Sequence, residues 1–440
     1  MNKQELEFFK QFKDPIQCKN QIHNYALKKH IEMGQRSSLF MSPGSGKTRI
    51  GIIAACENIK KYGGKWLISV PKENLIEQWE KEFKIWKYSK ELVEINFVCH
   101  ASNAKVDIGS YEGIIIDESH LCADSEVHGY IINHIHLFPQ VKFLCLTGTK
   151  PKDKNKLDNL LRVAPQAFEL TLNEAVELKL VSEYTINVID IPFSGDELMK
   201  YKKAQLAFDY YKRLLGDHEA FKNAGNILNG VKLQEIEKDN YDLFGNYLGK
   251  YKVMELLPFK YSPIEKTNAR QLFTAIRTRA SIARNASKKL IVAKQLVDLF
   301  PEHYTITFSE TNDFTTKLHK LCGDRAVMFH SKMKESEKID ALKLFADRRT
   351  KKNIINSTKA LSEGYNVPVI NMGIVTAFTS KANTIIQRIT RACRYIEGKR
   401  AILFILVVPN TQEEQWLKNA LKDVSNVRYF DSFETYKSLL

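Results

Sequence analysis

The segment Ser37–Arg49, SSLFMSPGSGKTR, sets Gly44, Gly46, Lys47 and Thr48 between an apolar run and the helical pattern IGIIAACENI. That order suits phosphate chemistry. A buried strand delivers the loop, glycines let backbone N–H groups close around phosphate oxygens, and the next helix adds the partial positive charge of its N-terminus. Pro43, Gly44, Ser45 and Gly46 are the expected cradle, with Arg49 beside it. Lys47 is the cation for the β and γ phosphates, and Thr48 offers a hydroxyl to Mg2+. Met41 stands where the strict spacing G-x-x-x-x-G-K-[ST] has its first glycine. Seventy residues after Lys47, Gly113-Ile-Ile-Ile ends in Asp117-Glu118-Ser119-His120. A carboxylate at the end of a buried strand can hold Mg2+ through its water shell, and its neighbour can orient and deprotonate water. Asp117 therefore takes the metal role and Glu118 the base role. Two acids at a solvated strand end are the alternative.

Such groups need rigid elements to place them. Ser38–Met41, Trp66–Val70, Ile95–Cys99, Gly113–Asp117 and Phe143–Leu146 read as short buried strands, separated by helical patterns such as Glu73–Phe83 and Val127–His136. Alternation of that kind indicates a parallel sheet covered on both faces. It returns at Tyr304–Phe308, Ala326–Phe329, Asn353–Asn356, Ile370–Val375 and Ala401–Val408, with Lys338–Phe345 as one of the helices. The expected fold is α/β with two doubly wound domains, 1–190 and 286–440. Between them, 191–285 reads as a mostly helical connector or insertion.

The motifs together resemble the superfamily 2 helicases and translocases. GSGKT and DESH are accompanied, in that family's order along the chain, by the rest of its set. Gln21, 26 residues before Lys47, resembles the glutamine that reads the adenine edge. Pro71, Lys72 and Gln78, in VPKENLIEQW, resemble a strand-gripping motif, and Thr147-Gly148-Thr149 resembles the motif linking hydrolysis to domain motion. Phe308-Ser309-Glu310 and STKALSEGYNVP, with Gly364 and Asn366, resemble second-domain motifs. Gln387, Arg391 and Arg394, in QRITRACR, resemble the arginine-finger motif, with Thr390 where glycine is usual. No second gripping motif is recognisable between Pro71 and Asp117. The resemblance implies tandem RecA-like domains with ATP and Mg2+ in the cleft between them, and the two arginines completing the site on closure.

Charge points to a polyanionic partner. The chain has 440 residues, with 66 Lys and Arg against 51 Asp and Glu, a net charge of +15. Six basic residues and no acid lie between Asn268 and Lys289, and Arg270, Arg277 and Arg284 recur every seven residues. On a helix that spacing makes one stripe able to track phosphates. Aromatics from Tyr241 to Phe273 could stack bases or build a core. Seven scattered cysteines without a Cys-x-x-Cys pair read as reduced thiols, and His128, His134 and His136 lack ligand-spaced partners for a metal. The charged start MNKQELEFFKQFKD and the short apolar runs speak against a signal peptide and a membrane span. The expectation is a cytoplasmic protein, of a bacterium or a phage-infected host.

The motif forms look more like the compact, phage-type DNA branch-migration helicases than like the DEAD-box RNA helicases. The expected activity is ATP-dependent movement on, or unwinding of, DNA without sequence specificity, forked, branched or single-stranded. The alternatives are an ATP-controlled nucleic-acid-binding switch, the motor subunit of a larger complex, or an RNA helicase.

Overall fold

The computed structural model describes every residue except 124, 149, 152, 242–246, 331, 359–369, 378–399 and 423, together with the side chains outside 240–248. The first run of aliphatic segments forms six strands: β1 (Arg36–Met41), β2 (Trp66–Val70), β3 (Ile95–Cys99), β4 (Gly113–Asp117), β5 (Lys142–Thr147) and β6 (Gln166–Leu170). All pair in parallel, in the order β3-β2-β4-β5-β1-β6. Alternate side chains leave opposite faces of a strand, so one sheet feeds two cores. Leu39, Met41, Ile68, Ile115 and Leu146 join one. Phe40, Leu67, Ile114, Ile116 and Phe143 join the other. The helices are α1 (Lys3–Lys10), α2 (Pro15–Glu32), α3 (Lys47–Tyr62), α4 (Glu73–Ile85), α5 (Tyr130–His134), α6 (Lys154–Val163) and α7 (Leu172–Glu177). Cys18, Ile22, Ile50 and Trp79 of α2, α3 and α4 pack on the first face, and Ile131 and Leu160 of α5 and α6 on the second. The helix expected over Val127–His136 is shorter, one α turn that tightens into a 3-10 turn at Ile135–Leu137.

Beyond β7 (Glu183–Asp190), residues Ile191–Val292 and Val408–Gln415 make a compact unit of their own. It holds α8 (Gly195–Leu214), α9 (Ala220–Asn229), an antiparallel hairpin of β8 (Val231–Tyr241) and β9 (Tyr247–Pro258), and α10 (Pro263–Arg284). The unit is thus helical with one long ribbon, whose ribbon the residue pattern did not reveal. Leu215, Ala224, Ile227, Ala269 and Leu272 form its centre, with Phe208, Tyr211, Tyr261 and Phe273 against them. Of the aromatics in question, Tyr261 and Phe273 are core, Tyr251 and Phe259 are exposed, and Phe244 and the side chains of Tyr241 and Tyr247 lie outside the described residues. A wholly buried ion pair, Lys289 Nζ to Glu413 Oε2 at 2.6 Å, braces the same unit.

The second sheet contains β10 (Thr305–Phe308), β11 (Ala326–Phe329), β12 (Ile354–Ser357), β13 (Met372–Val375), β14 (Arg400–Val407) and β15 (Val427–Phe430). The order β11-β12-β10-β13-β14-β7-β15 is parallel throughout. Here the expected 1–190 boundary needs correction, because β7 is hydrogen-bonded along its full length to β14. Tyr184, Ile186 and Val188 bury themselves in that sheet's core beside Leu403 and Ile405. Helices α11 (Ser287–Leu299), α12 (Asn312–Cys322) and α13 (Glu335–Ala346) precede or connect its strands. Each sheet therefore has the architecture of a RecA-like domain. Among the described residues no helix is long and apolar enough to cross a membrane, and the six described cysteines are free thiols.

Three histidines of the first domain make its stability sensitive to acid. Burial pushes His23, His30 and His100 down to about 4, from an ordinary 6.5. Protons then bind the unfolded chain more readily than the folded one. The stability these neutral rings allow is whole above pH 6.5 and is lost as pH falls toward 4, at up to about 1.4 kcal/mol per pH unit for each. Thermal midpoints measured from pH 7.5 to 4.5 should fall progressively below 6.5. A flat profile over that range would contradict the burial of neutral rings.

Candidate nucleotide-binding site

The three strands that matter end side by side. Phe40 of β1 is in register with Thr147 of β5, and Asp117 of β4 with Leu146 of β5. The phosphate loop, the acidic pair and Thr147-Gly148 thus meet at the carboxyl edge of one sheet, where parallel α/β sheets bind ligands. Gly46, with φ of 98°, is the N-cap of α3, and Lys47 and Thr48 begin the helix. Lys47 Nζ donates to the carbonyl of Met41 at 3.3 Å. The Met41 side chain is buried in the sheet core, so its replacement of glycine leaves the loop backbone in use. Gly148 approaches closely enough that a Cβ would stand 2.9 Å from Pro43 and 3.0 Å from Lys47 Nζ.

Asp117 is buried. Its Oδ2 accepts the indole N–H of Trp79 at 3.1 Å, and its Oδ1 accepts the Glu118 backbone N–H at 2.9 Å. Burial, and then the adjacent Glu118 carboxylate, push Asp117 up to about 6, while Lys47 and the two donors pull the other way. Glu118 has φ of 48°, left-handed for a residue with a side chain, a conformation that costs about 1–2 kcal/mol. The turn aims Glu118 Oε2 toward the Gly148 N–H at 3.5 Å and His120 Nδ1 at 3.4 Å. His120 Nδ1 also lies 2.7 Å from Thr147 Oγ1. DES-His and Thr-Gly are therefore joined by side chains as well as by strand order.

Helix α2 clamps the loop from its other side. Lys19 Nζ donates to Gly44 O at 3.2 Å, His23 Nε2 donates to Ser45 O at 2.6 Å, and Asn20 accepts from Arg49. Gln21 lies half-buried within that clamping segment. Lys19, Asn20 and His23 were not picked out from the sequence. Their spacing next to Gln21 was the available signal.

Other expected residues are placed as follows. Pro71 and Lys72 lead into α4, and Gln78 lies half-buried on it. In the second sheet Phe308 and Ser357 are in register, so the Phe-Ser-Glu and Ser-Thr-Lys motifs start at adjacent strand ends. The buried Ser309 N–H donates to Ser357 O at 2.9 Å, and its hydroxyl meets that of Thr315. Thr149, Gly364, Asn366, Gln387, Thr390, Arg391 and Arg394 lie outside the described residues. On α10, Arg270 and Arg277 are exposed and Arg284 is half-buried. The basic segment needs one correction. Lys289 is fully buried against Glu413, and the Arg279 guanidinium stacks 4.2 Å from Phe208, so neither presents a free cation to solvent.

Oxygen ligands suit Mg2+, and Asp117 with Thr48 supplies a carboxylate and a hydroxyl. The raised Asp117 carboxyl is a buried acid whose anion a cation would stabilise, so these residues fit that ion.

Residues 16–108 match the family "Type III restriction enzyme, res subunit", and 288–396 match "Helicase conserved C-terminal domain". A Methanocaldococcus jannaschii protein named as a candidate ATP-dependent RNA helicase is 22% identical over 454 residues. That alignment covers 87% of this chain, which spans just over half, 57%, of the archaeal protein. The solved helicase domain of Pyrococcus furiosus Hef is 16% identical, covering 91% of this chain and 97% of its own, with a TM-score of 0.49. The two family matches support a superfamily 2 helicase, and such domains imply ATP hydrolysis.

Proposed function

We propose that this chain, carrying the paired domains of a superfamily 2 helicase, is an ATP-dependent DNA helicase or translocase acting on forked or branched DNA without reading sequence. The observation that carries the reading is the convergence of Lys47, Asp117, Glu118 and Gly148 at one sheet edge. Loop amides and Lys47 bind the phosphates of ATP, and Gln21 reads the adenine. Asp117 and Thr48 would hold Mg2+, which supplies charge neutralisation at the β and γ phosphates. Glu118 accepts the proton of the attacking water. Arg391 and Arg394 contribute positive charge at the γ phosphate when the domains close.

Pro71, Lys72 and Gln78 grip the strand, and the Arg270, Arg277 and Arg284 stripe tracks its phosphates. The β8–β9 ribbon supports the forked substrate. It pairs with no third strand among the described residues, and its 11- and 12-residue strands extend about 35 Å at ~3.3 Å per residue. Cross-strand pairs such as Lys252–Glu235 neutralise much of its charge, which suits a wedge better than a phosphate-binding finger. An RNA strand is the second reading, favoured by the name of the archaeal relative.

The test is steady-state ATP hydrolysis by wild type and Lys47→Ala, without nucleic acid and with single-stranded, duplex and forked DNA or matched RNA. Stimulation by DNA, greatest with the fork and lost in Lys47→Ala, is expected. Stimulation by RNA alone would transfer the chain to the RNA helicases. Rates indifferent to every nucleic acid would overturn the autonomous motor.

A further inference from the structure

Helix α4 touches the nucleotide site twice, through tryptophans seven residues apart. Trp79 is 1% exposed, and its indole N–H donates to Asp117 Oδ2 at 3.1 Å. Trp86, at the C-terminal cap of α4, stacks 3.9 Å from the guanidinium of Arg49, two residues after Lys47. Residues seven apart on a helix share a face, so α4 presents one side to both walls of the site.

The seat of Trp79 is specific. A Cβ on Gly51 would stand 2.8 Å from Trp79 Cη2, so α3 has glycine, one turn beyond Thr48, where the indole enters. Glycine inside a helix costs about 1 kcal/mol relative to alanine, a penalty that makes room for a ring of this size. Packing alone would be served by phenylalanine. An indole adds one N–H that must find an acceptor when buried, and here the acceptor is the expected metal carboxylate. With the Glu118 N–H on Oδ1, the two donors hold both oxygens of Asp117 and leave each a lone pair.

Resting on the nucleotide-site reading above, we infer that Trp79 is the positioning residue for Asp117. It fixes the carboxylate for Mg2+ and ties it to the α4 segment that carries Lys72 and Gln78. Its role is orientation through a hydrogen bond; it touches neither nucleotide nor metal.

The test is equilibrium binding of a fluorescent ADP analogue to the full chain, titrated with Mg2+ and repeated in EDTA. Trp79→Phe should raise the half-saturating Mg2+ concentration about tenfold, the scale expected when a metal ligand loses its outer hydrogen bond. Affinity in EDTA should stay within twofold of wild type. In an Asp117→Asn background Trp79→Phe should add nothing. If Trp79→Phe does not fold, benzothienylalanine at position 79 keeps the ring size and loses only the N–H, and the same tenfold shift is expected. An unchanged Mg2+ requirement, or an equal loss of affinity in EDTA, would overturn the inference. If instead wild-type binding ignores Mg2+ and Lys47→Ala binds like wild type, the nucleotide-site reading itself fails.

Discussion

Glu118→Gln should lower ATP hydrolysis at least about 100-fold, the typical contribution of a positioned general base, while nucleotide binding stays within about twofold. The exchange keeps the length of the side chain and its ability to accept a hydrogen bond, but an amide cannot take a proton from water. The local backbone gives the experiment its sharpness. Glu118 is held with φ of 48° between a buried strand end and a 3-10 turn, and glutamine can occupy that conformation at similar cost. Its Oε2 faces the Gly148 N–H and His120 Nδ1, contacts that an amide oxygen largely preserves. Single-turnover hydrolysis beside binding of a fluorescent ATP analogue separates the two effects. Hydrolysis within tenfold of wild type would move the base to another group. A parallel loss of binding would mean that Glu118 shapes the site instead of activating water.

Lys289→Met should cost about 3–5 kcal/mol of stability. Lys289 and Glu413 are both wholly buried, 2.6 Å apart, and Glu413 Oε2 also accepts the Val408 N–H at 3.2 Å. Removing the ammonium leaves a carboxylate without its counter-charge in a dry interior. Burial already holds Lys289 below the ordinary lysine range despite the pull of Glu413, a measure of how strongly the surroundings resist charge. Lys289→Met with Glu413→Leu should recover most of the loss, since well-packed apolar pairs commonly match or exceed the buried ion pair they replace. Urea unfolding of the three proteins, followed by a probe within 191–292, decides the matter. A single substitution costing less than 1 kcal/mol would show that water or a neighbouring group reaches Glu413.

Much of the molecule was legible because it is encoded locally. Ile114, Ile115 and Ile116 in an unbroken apolar run signal a strand buried on both faces, and Gly46-Lys47-Thr48 before a helical pattern signals the turn that opens α3. The strand runs read from hydrophobicity match β1 to β5 and β10 to β14 with only small shifts at their ends. The β8–β9 ribbon escaped that reading because both its faces mix charge with apolar groups. Leu233 and Glu235 share one face, and Ile236 and Lys238 the other, so no clean alternation appears. β7 was not among the strand runs read from hydrophobicity, and nothing near it in sequence marked it as a member of the second sheet. Its partner, β14, begins 217 residues beyond the start of β7 at Glu183, at Arg400.

The linear order of residues determined the groups on offer: a glycine-rich loop ending in Lys47, an acidic pair, a basic helix and two α/β blocks to carry them. Tertiary structure alone decided which side chains hold those groups in place. Trp79 reached Asp117, His23 the Ser45 carbonyl, Gly148 the lysine of the loop, and Lys289 a carboxylate instead of solvent. The physical reason is that periodicity and turn chemistry act over a few neighbouring residues, whereas a buried polar atom is satisfied by whatever donor or acceptor the packing brings to it. Tryptophan 38 residues before a carboxylate signals nothing until α4 and β4 lie side by side.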